Sequence, residues 1–458
     1  MRSRGRILLS AAIVALVALA GVFLDRSVGV RERSGVPDAT TSSGAWLCPH
    51  GAGPKDWTVT LEVANPGDAP ATVRVTSLGP ERPGNSQTYE VDSGTTLAIP
   101  AKARGRAASS YVEYFGSWVA VGWMAHAGGD ESGVAAEPCL PGATGRWFAA
   151  DGTSVEGEDA YLIVMNPFDT PAILDVVMYT KGGAPVRIGE WTGVPLAPHR
   201  STAFLLSERV VDEEALSAEV DVSRGRVAVA SLGVSTEAGG IRSTIGLAGD
   251  PPIRTYLPVA GPGGRSTLIV AVPGTEPAAF DATLLSGGVP QPADALTDAR
   301  QGAQSAEISQ VLSDGASAID VVATGEGVVV ARRSAGLVND TGSTAGVDGP
   351  ASGWVVLPTV ACDPNVPGLA LVNPGDQQAE VTLHVLPRAG GSPATDVTVS
   401  VPPARTVAAP EEFLAQDPHA AVLVTATTGT VIASGASSSC GQEGIAAFAV
   451  ATGIPLPP

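Results

Sequence analysis

The chain has 458 residues, which is too long for a single hydrophobic core and suits several domains of about 100 residues each. Aromatic residues make up only 5% of it, whereas there are 55 glycines and 37 prolines, a composition typical of short strands joined by tight turns and not of long helices. A formal net charge of −19 argues against nucleic acid and anionic lipid head groups as partners, and an apolar content of 44% excludes general disorder.

The N-terminus carries a predicted membrane segment. Three arginines within the first six residues precede an uncharged apolar stretch over residues 7–24. As a helix this stretch would be about 27 Å long, close to the roughly 30 Å hydrocarbon thickness of a bilayer. We therefore expect residues 1–24 to form a signal anchor, a transmembrane helix whose basic end stays in the cytoplasm, with the rest of the chain exported. A cleaved signal peptide is the alternative, because Ala-Leu-Ala at residues 18–20 would suit a signal peptidase.

Residues 25–44 are rich in Ser, Thr, Gly and charge, which predicts a linker. Beyond it, an apolar run that ends in a turn occurs four times at a spacing of about 100 residues, which indicates copies of one unit. The first copy reads Leu-Glu-Val-Ala-Asn-Pro-Gly-Asp at residues 61–68. The aliphatic run predicts a strand, and proline ends it because proline lacks a backbone donor. The prolines of the four copies are Pro66, Pro167, Pro273 and Pro374.

This period predicts four tandem modules, at residues 45–144, 145–250, 251–350 and 351–458. Each module holds roughly seven short strands in about 100 residues, which favours two stacked antiparallel sheets of an immunoglobulin-like kind. The predicted fold class is therefore all-β, with four tandem immunoglobulin-like β-sandwich modules after an N-terminal transmembrane helix. A propeller built from half-modules is the alternative.

Each module has the same features in the same order. After the strand and its turn comes a Pro-x-Arg segment, clear at residues 198–200 and 403–405 and spelled loosely at residues 100–104, and later a Val-rich strand. The third module lacks the Asn of the turn. The modules open at the aromatic residues Trp46, Trp147, Tyr256 and Trp354.

Taken together, the aromatic openings, the strand ending in Asn-Pro-Gly-Asp, the Pro-x-Arg segment and the late Val-rich strand resemble a family of exported actinobacterial proteins of unknown function. The resemblance covers nearly all of residues 45–458. It implies a cell-envelope location and a high-GC source, and it supplies no catalytic residues.

The four cysteines lie in the two terminal modules, Cys48 and Cys139 in the first and Cys362 and Cys440 in the last. An even number in an oxidising compartment favours disulfides, and we predict that each pair joins early and late parts of its own module. A bond between Cys48 and Cys440 would instead suggest a closed ring of modules. We expect no zinc site, since no two cysteines have zinc-finger spacing.

No motif for enzyme chemistry or cofactor binding is found. The histidines form no His-x-x-x-His pair, and neither a Gly-x-Ser-x-Gly elbow nor a phosphate-binding loop is present. Asp68, Asp169 and Asp376 recur at the turns, where we interpret them as turn caps and not as calcium ligands, because each loop supplies one carboxylate. We therefore expect no enzyme, no cofactor and no metal.

The densest aromatic cluster in the chain is the one candidate binding surface. On a sheet face these rings could stack against sugars or contact a partner protein, and core packing is the alternative. The cluster consists of Tyr111, Tyr114, Phe115, Trp118 and Trp123.

The features together predict a non-enzymatic, membrane-anchored, extracytoplasmic protein of the cell envelope that acts as a scaffold or binding array. Its expected partners are a cell-wall polymer or an envelope protein complex, with the membrane held through the N-terminal helix and no role for nucleic acid. An enzyme that acts on envelope glycans with paired carboxylates and a surface adhesin are the alternatives.

Overall fold

The computed structural model describes residues 43–457, apart from residues 54–55, 82, 238, 260–265, 294–297, 309–315, 325–326, 336–340, 359–367, 392–393 and 442–443. The described residues belong to one compact unit. Across these residues, no helix is both long enough and apolar enough to cross a membrane. The predicted signal anchor at residues 1–24 lies outside the described residues, as does the predicted linker at residues 25–44 except for its last two residues, which begin the first strand.

The described chain is almost entirely β-structure, as predicted. Its first eight strands are β1 (Ser43–Cys48), β2 (Thr58–Asn65), β3 (Ala71–Leu78), β4 (Gln87–Val91), β5 (Thr95–Pro100), β6 (Ser109–Phe115), β7 (Ala120–Ala127) and β8 (Gly133–Pro138). The next ten are β9 (Arg146–Ala149), β10 (Glu158–Asn166), β11 (Ala172–Tyr179), β12 (Val186–Arg187), β13 (Val194–Leu196), β14 (Arg200–Leu205), β15 (Ser217–Arg224), β16 (Ala228–Ser235), β17 (Ile241–Ile245) and β18 (Leu247–Ala248).

The second half of the chain continues in the same way. It contains β19 (Arg254–Val259), β20 (Ser266–Val272), β21 (Ala278–Leu285), β22 (Gln291–Pro292), β23 (Asp298–Ala299), β24 (Gly302–Glu307), β25 (Ser317–Thr324), β26 (Val329–Ala335) and β27 (Thr341–Thr344). It ends with β28 (Gly353–Val356), β29 (Leu369–Asn373), β30 (Ala379–Leu386), β31 (Val397–Val401), β32 (Arg405–Ala408), β33 (Ala421–Thr428), β34 (Ile432–Gly441), β35 (Gly444–Thr452) and β36 (Ile454–Pro455). Within the described ranges, the short helical pieces are two 3₁₀ turns, Gly129–Glu131 and Gly189–Trp191, and one α-helical turn, α1 (Glu411–Leu414).

The strands form antiparallel sheets whose orders recur four times. We call the four strand sets repeats 1 to 4: β1 to β8, β9 to β18, β19 to β27 and β28 to β36. One sheet of each set, the lead sheet, has the orders β1-β6-β3-β4, β18-β9-β15-β11-β12, β19-β25-β21-β22 and β36-β28-β33-β30-β31, with β13 and β23 pairing with β11 and β21. The other, the turn sheet, has the orders β5-β2-β7-β8, β14-β10-β16-β17, β24-β20-β26-β27 and β32-β29-β34-β35.

The two kinds of sheet differ in how their faces are covered. In β3 of a lead sheet, Ala71, Val73 and Val75 are buried and alternate with the more exposed Thr72 and Arg74, because one face meets the core and the other meets water. In the turn sheets, by contrast, β16 is buried at every residue and β10 at every residue from Leu162 to Asn166. A strand buried on both faces has neighbours on both sides, so the turn sheets lie in the interior of the molecule.

The repeats contact one another in a closed cycle. We call each contact a joint. At a joint, a backbone N–H in the edge strand of one turn sheet (β14, β24, β32 or β5) donates a hydrogen bond to a carbonyl oxygen of the preceding repeat. That carbonyl lies in the segment just after β3, β11, β21 or β30. The four hydrogen bonds run from Ser201 N–H to Gly79 O (3.0 Å), from Ala303 N–H to Thr180 O (2.9 Å), from Thr406 N–H to Ser286 O (3.1 Å) and from Thr96 N–H to Pro387 O (2.9 Å). Repeat 1 thus contacts repeat 4 in the same way that each later repeat contacts the one before it.

The opposite edges of the turn sheets also meet. Strand β8 lies beside β17 and β35, and β27 lies beside the same two strands. Shared apolar clusters accompany these contacts, for example Met124 and Val134 of repeat 1 with Ala447 and Ala449 of repeat 4. Burial of apolar side chains across every joint stabilises the cycle.

One sequence correspondence was wrong. The prediction equated residues 100–104 of the first module with the Pro-x-Arg segment of the others. In the sheets, however, Asn65 pairs with Thr95, as Asn166 pairs with Arg200 and Asn373 with Arg405. The corresponding turn in repeat 1 is therefore the one just before Thr95, and residues 101–104 form the loop after β5.

Candidate functional site

The five aromatic residues predicted as a binding surface do not share one exposed face. Tyr114, Trp118 and Trp123 are buried in the core of repeat 1, and the half-buried Tyr111 packs against the core of repeat 2. Only Phe115 is exposed, at 44%. The cluster is split because Tyr111, Tyr114 and Phe115 belong to a lead-sheet strand, whereas Trp123 belongs to the turn sheet. For the three buried rings, core packing is the correct interpretation.

The cysteines of repeat 1 form the predicted bond. A disulfide joins Cys48 at the end of β1 to Cys139 after β8, so it connects the lead sheet and the turn sheet. The second predicted pair lies outside what the structure describes, because Cys362 and the side chain of Cys440 are not described. The described bond stabilises repeat 1 by restricting its unfolded chain.

The recurrent turn is held by its asparagine. Asn166 is fully buried, and its Nδ2 donates to the carbonyl oxygens of Thr170 (2.8 Å) and Leu196 (3.2 Å) while its Oδ1 accepts from Phe168 N–H (3.1 Å). Asn65 and Asn373 make the same pattern of bonds. This side chain fixes the turn against the next strand, so its recurrence has a structural cause.

The aspartates of the turn do not gather into a metal site. The side chain of Asp169 is 96% exposed, and its Oδ1 lies 2.7 Å from Nε2 of His199. No group of three or more Asp, Glu, His or Cys side chains that could hold a metal ion is found in the described part of the chain.

A serine and a histidine make contact in the core of repeat 1. Nδ1 of His50 donates to the carbonyl oxygen of Gly51 (2.7 Å), so Nε2 accepts from the hydroxyl of Ser110 (3.0 Å). Burial lowers the pKa of His50 to about 4, which keeps the ring neutral. This connectivity resembles a nucleophile and its base, but both residues are fully buried. A substrate has no access to them, and the contact is structural.

A groove of about 690 Å³ lies on repeat 1. One wall is the connection between β3 and β4, and the other is the loop after β5, where residues 102–104 lie. Its polar lining among the described residues consists of Ser77, Glu81, Asn85, Ser86, Gln87, Lys102 and Arg104. We call it the repeat 1 groove.

The charges of the repeat 1 groove differ from those of the whole chain. Lys102 is one of only three lysines in a chain with a formal net charge of −19, and it lies beside Arg104 at the same wall. The NH1 of Arg104 donates to the carbonyl oxygen of Trp57 (2.9 Å), which holds the guanidinium in position. Amide and hydroxyl groups and the carboxylate of Glu81 form the opposite wall, so the donors that can hold an acceptor-rich, negatively charged ligand are Lys102, Arg104 and the amides and hydroxyls.

Sequence patterns missed this groove. Its two walls are separated in sequence and belong to no shared motif, and the sequence pattern assigns Lys102 and Arg104 to a Pro-x-Arg segment. The rarity of lysine in the chain is the one signal that could have drawn attention to them.

Buried charged groups at the joints form a second set that the sequence did not reveal. Asp151 of repeat 2 forms ion pairs with Arg333 of repeat 3 and Arg242 of its own repeat. Burial alone would raise the pKa of Asp151, but the two guanidinium groups hold it below its usual value. At the joint between repeats 4 and 1, Arg388 contacts the buried Glu62 at 3.2 Å. These groups link the repeats.

Comparison with protein families gives a match. The model of a family of unknown function, DUF5719, matches residues 108–347, from β6 of repeat 1 to the end of repeat 3. Among curated proteins there is no match. Because the matched region covers more than half of the chain, the protein belongs to the DUF5719 family of unknown function.

Proposed function

We propose that the protein is a non-enzymatic scaffold of the cell envelope that binds an anionic wall polymer through the repeat 1 groove. The observation that carries the proposal is the pairing of Lys102 with Arg104 at the wall of an opening of about 690 Å³ in an otherwise acidic chain. Local positive charge attracts negative ligands. The two cations also weaken, at this place, the repulsion that an acidic chain exerts on such a ligand.

The fold supports a scaffold role. We infer that the four repeats are tandem immunoglobulin-like sandwiches, because each has two antiparallel sheets with recurrent strand orders and the core of repeat 2 draws side chains from both of its sheets. Four units joined in a closed cycle restrain one another. A groove on such a frame keeps its geometry without help from the ligand.

The location is part of the same proposal. Basic residues followed by the apolar stretch of residues 7–24 favour an anchor in the membrane with the repeats outside. The disulfide between Cys48 and Cys139 fits an oxidising compartment. Mass spectrometry of the protein recovered from membrane and medium fractions tests this location. We expect a membrane-bound form that retains residues 1–24. A form in the medium that lacks these residues would show that they are a cleaved signal peptide and not an anchor.

Enzymatic glycan cleavage is less well supported. It would require two carboxyl groups on either side of the scissile bond. Glu81 is the one acid among the described residues that line the groove. The described lining residues include no aromatic ring either, so stacking on a neutral sugar is a weaker source of affinity there than charge.

The test is co-sedimentation of residues 25–458 with purified cell walls at two salt concentrations, before and after removal of their anionic polymers. We expect binding that weakens with salt, that is lost with the anionic polymers, and that falls at least tenfold in a Lys102→Gln/Arg104→Gln variant. A Lys181→Gln/Arg187→Gln variant is the matched control, because it removes the same charge from two exposed residues of repeat 2. Equal loss in both variants, or binding to the stripped walls, would refute the proposal.

A further inference from the structure

The joint between repeats 4 and 1 is unlike the other three. Repeats 1 and 2, 2 and 3, and 3 and 4 follow each other along the chain, so each of these pairs stays tethered when its joint loosens. Repeats 4 and 1 meet through contacts between residues about 300 positions apart, such as the bond from Thr96 Oγ1 to Leu386 O (2.7 Å, separation 290). Among the described residues, only non-covalent contacts hold this joint.

One position in each turn sheet contacts the preceding repeat. It lies three residues before the last residue of the strand that leads into the turn. Ile163 of repeat 2 packs in the core cluster of repeat 1, Ile269 packs with residues of repeat 2, and Ala370 packs with residues of repeat 3. All three side chains are fully buried. In repeat 1 this position is Glu62, which is 5% exposed. The ring-closing joint is therefore built around a carboxyl group where the other joints use aliphatic side chains.

The surroundings of Glu62 only partly satisfy its charge. NH2 of Arg388 lies 3.2 Å from Oε1 and 3.4 Å from Oε2, while Nε of Arg388 is bound to the carbonyl oxygen of His419 (3.0 Å). The Arg388 side chain is 41% exposed, so water weakens its attraction. A cavity of about 20 Å³ beside Glu62, between Met124 and Leu357, has room for one water molecule.

Other charges near Glu62 do not replace Arg388. Strands β5, β28 and β35 contain no charged residue or histidine, and neither does β34. On β7 the titratable residue is His126, four positions beyond Gly122, the strand partner of Glu62. On β8 it is Glu137, which accepts a hydrogen bond from the backbone of Ile245 in repeat 2. The ion pair with Arg388 is thus the local electrostatic contact of Glu62.

We propose that Glu62 and Arg388 form a pH-controlled latch, in which protonated Glu62 seals the joint between repeats 4 and 1 and ionised Glu62 loosens it. The closed joint buries the carboxyl group, and a buried neutral acid is stable where a buried carboxylate with one half-exposed partner is not. The latch does not depend on the ligand of the repeat 1 groove.

The direction of the effect follows from proton linkage. Burial raises the pKa of Glu62 to about 7, against an opposing effect of Arg388, whereas the residue regains its ordinary value of 4.5 when the joint opens. The closed form therefore binds the proton more tightly. Its advantage is complete below pH 4.5, is lost as the pH rises to about 7, and changes little above that value.

The test is backbone hydrogen exchange of residues 25–458 between pH 5 and pH 8, corrected for intrinsic exchange rates. Thr96 N–H and Ala421 N–H donate across this joint, and Ala303 N–H donates across the joint between repeats 2 and 3. We expect protection at Thr96 and Ala421 to fall by up to about two orders of magnitude over this range, and protection at Ala303 to stay constant.

Variants separate the latch from a general effect of pH. Glu62→Gln, which keeps the neutral form, and Glu62→Ile, which copies Ile163 and Ile269, should abolish the pH dependence. Arg388→Gln should move its midpoint to higher pH, since it removes the charge that favours the carboxylate. Glu90→Gln, at an exposed residue of the same repeat, should change nothing. Flat protection at Thr96 in the unmodified protein, or an unchanged pH dependence in Glu62→Gln, would overturn the proposal.

Discussion

The indole Nε1 of Trp46 donates a hydrogen bond of 2.8 Å to the carbonyl oxygen of Val119. The same bond joins Trp147 to Val227 (2.7 Å) and Trp354 to Val431 (2.7 Å). In repeats 1, 2 and 4 it connects the strand that opens the repeat to the start of the late strand in the other sheet. The tryptophans at which these repeats begin therefore link the two sheets through a hydrogen bond. In repeat 3 the corresponding residue is Tyr256, which has no indole to make this bond.

Replacing Trp354 by Phe should weaken repeat 4. The change removes a buried hydrogen bond and leaves a smaller ring in the core, so we expect a loss of about 2 to 3 kcal/mol in unfolding free energy. Urea unfolding followed by circular dichroism measures it. Tyr256→Phe is the matched change in repeat 3 and should cost less than about 0.5 kcal/mol. Equal losses in the two variants would contradict the role given to the indole bond.

Asn166→Ala should cost more than any change at the neighbouring aspartate. The buried amide makes bonds on both sides of the turn, and its removal leaves the Leu196 carbonyl without this donor. We expect a loss of about 2 to 4 kcal/mol. Asp169→Ala serves as control and should cost under about 0.5 kcal/mol, because its side chain is 96% exposed. Thermal unfolding of both variants decides the point, and a larger effect at Asp169 would argue for a bound ion there.

Gly94→Ala tests the backbone of the corrected turn in repeat 1. Gly94 has a φ of +66°, and a Cβ atom there would meet nothing within 4 Å, so the substitution introduces strain without a clash. An L-residue in this conformation costs about 1 kcal/mol. Gly142 has equal space without a positive φ, and Gly142→Ala should be neutral or slightly stabilising. Melting temperatures that shift equally in both variants would rule out strain as the cause.

Asp151→Asn should open the joint between repeats 2 and 3. The change leaves Arg333 and Arg242 without their buried carboxylate, so we expect a loss of about 3 to 5 kcal/mol at pH 7. Because the pKa of Asp151 is held below its ordinary value of 3.8, its contribution is present above that pH and is lost as the pH falls below it. The difference between the variant and the unmodified protein should therefore shrink on acidification to pH 3.

The control for this joint is Asp250→Asn. Asp250 pairs with Arg146 at 2.8 Å, but its side chain is 89% exposed, so the loss should stay under about 1 kcal/mol. Urea unfolding at pH 7 and pH 3 gives both comparisons. A constant difference between Asp151→Asn and the unmodified protein at the two pH values would show that the carboxylate charge is not what stabilises the joint.

The sequence predicted the strands better than their environment. Aliphatic runs that stop at Asn-Pro or Pro-Gly have local physical causes, and in the structure a strand ends at each of these places. Glu62 looked like an ordinary polar residue between apolar neighbours. It is buried because the second face of its sheet is covered by repeat 4, and no local pattern encodes a partner about 300 residues away.

The candidate site was harder to predict from the sequence than the strands were. Nearness in sequence made five aromatic residues look like one surface, but a strand sends successive side chains to opposite faces, and the chain changes sheets between Phe115 and Trp123. The repeat 1 groove is made by two loops whose closeness depends on how the strands pair. Such a site follows from tertiary structure and leaves little trace in spacing.

The closed cycle also determines when the contacts of repeat 1 can form during synthesis. The joint at Thr96 cannot form until Leu386, 290 residues later, has been synthesised. At a translation rate of about 5 to 20 residues per second, the apolar surface of repeat 1 that contains Met124 and Val134 stays uncovered by repeat 4 for roughly 15 to 60 s. These apolar side chains become buried against repeat 4 only when Ala447 and Ala449, in the last quarter of the polypeptide, have been synthesised.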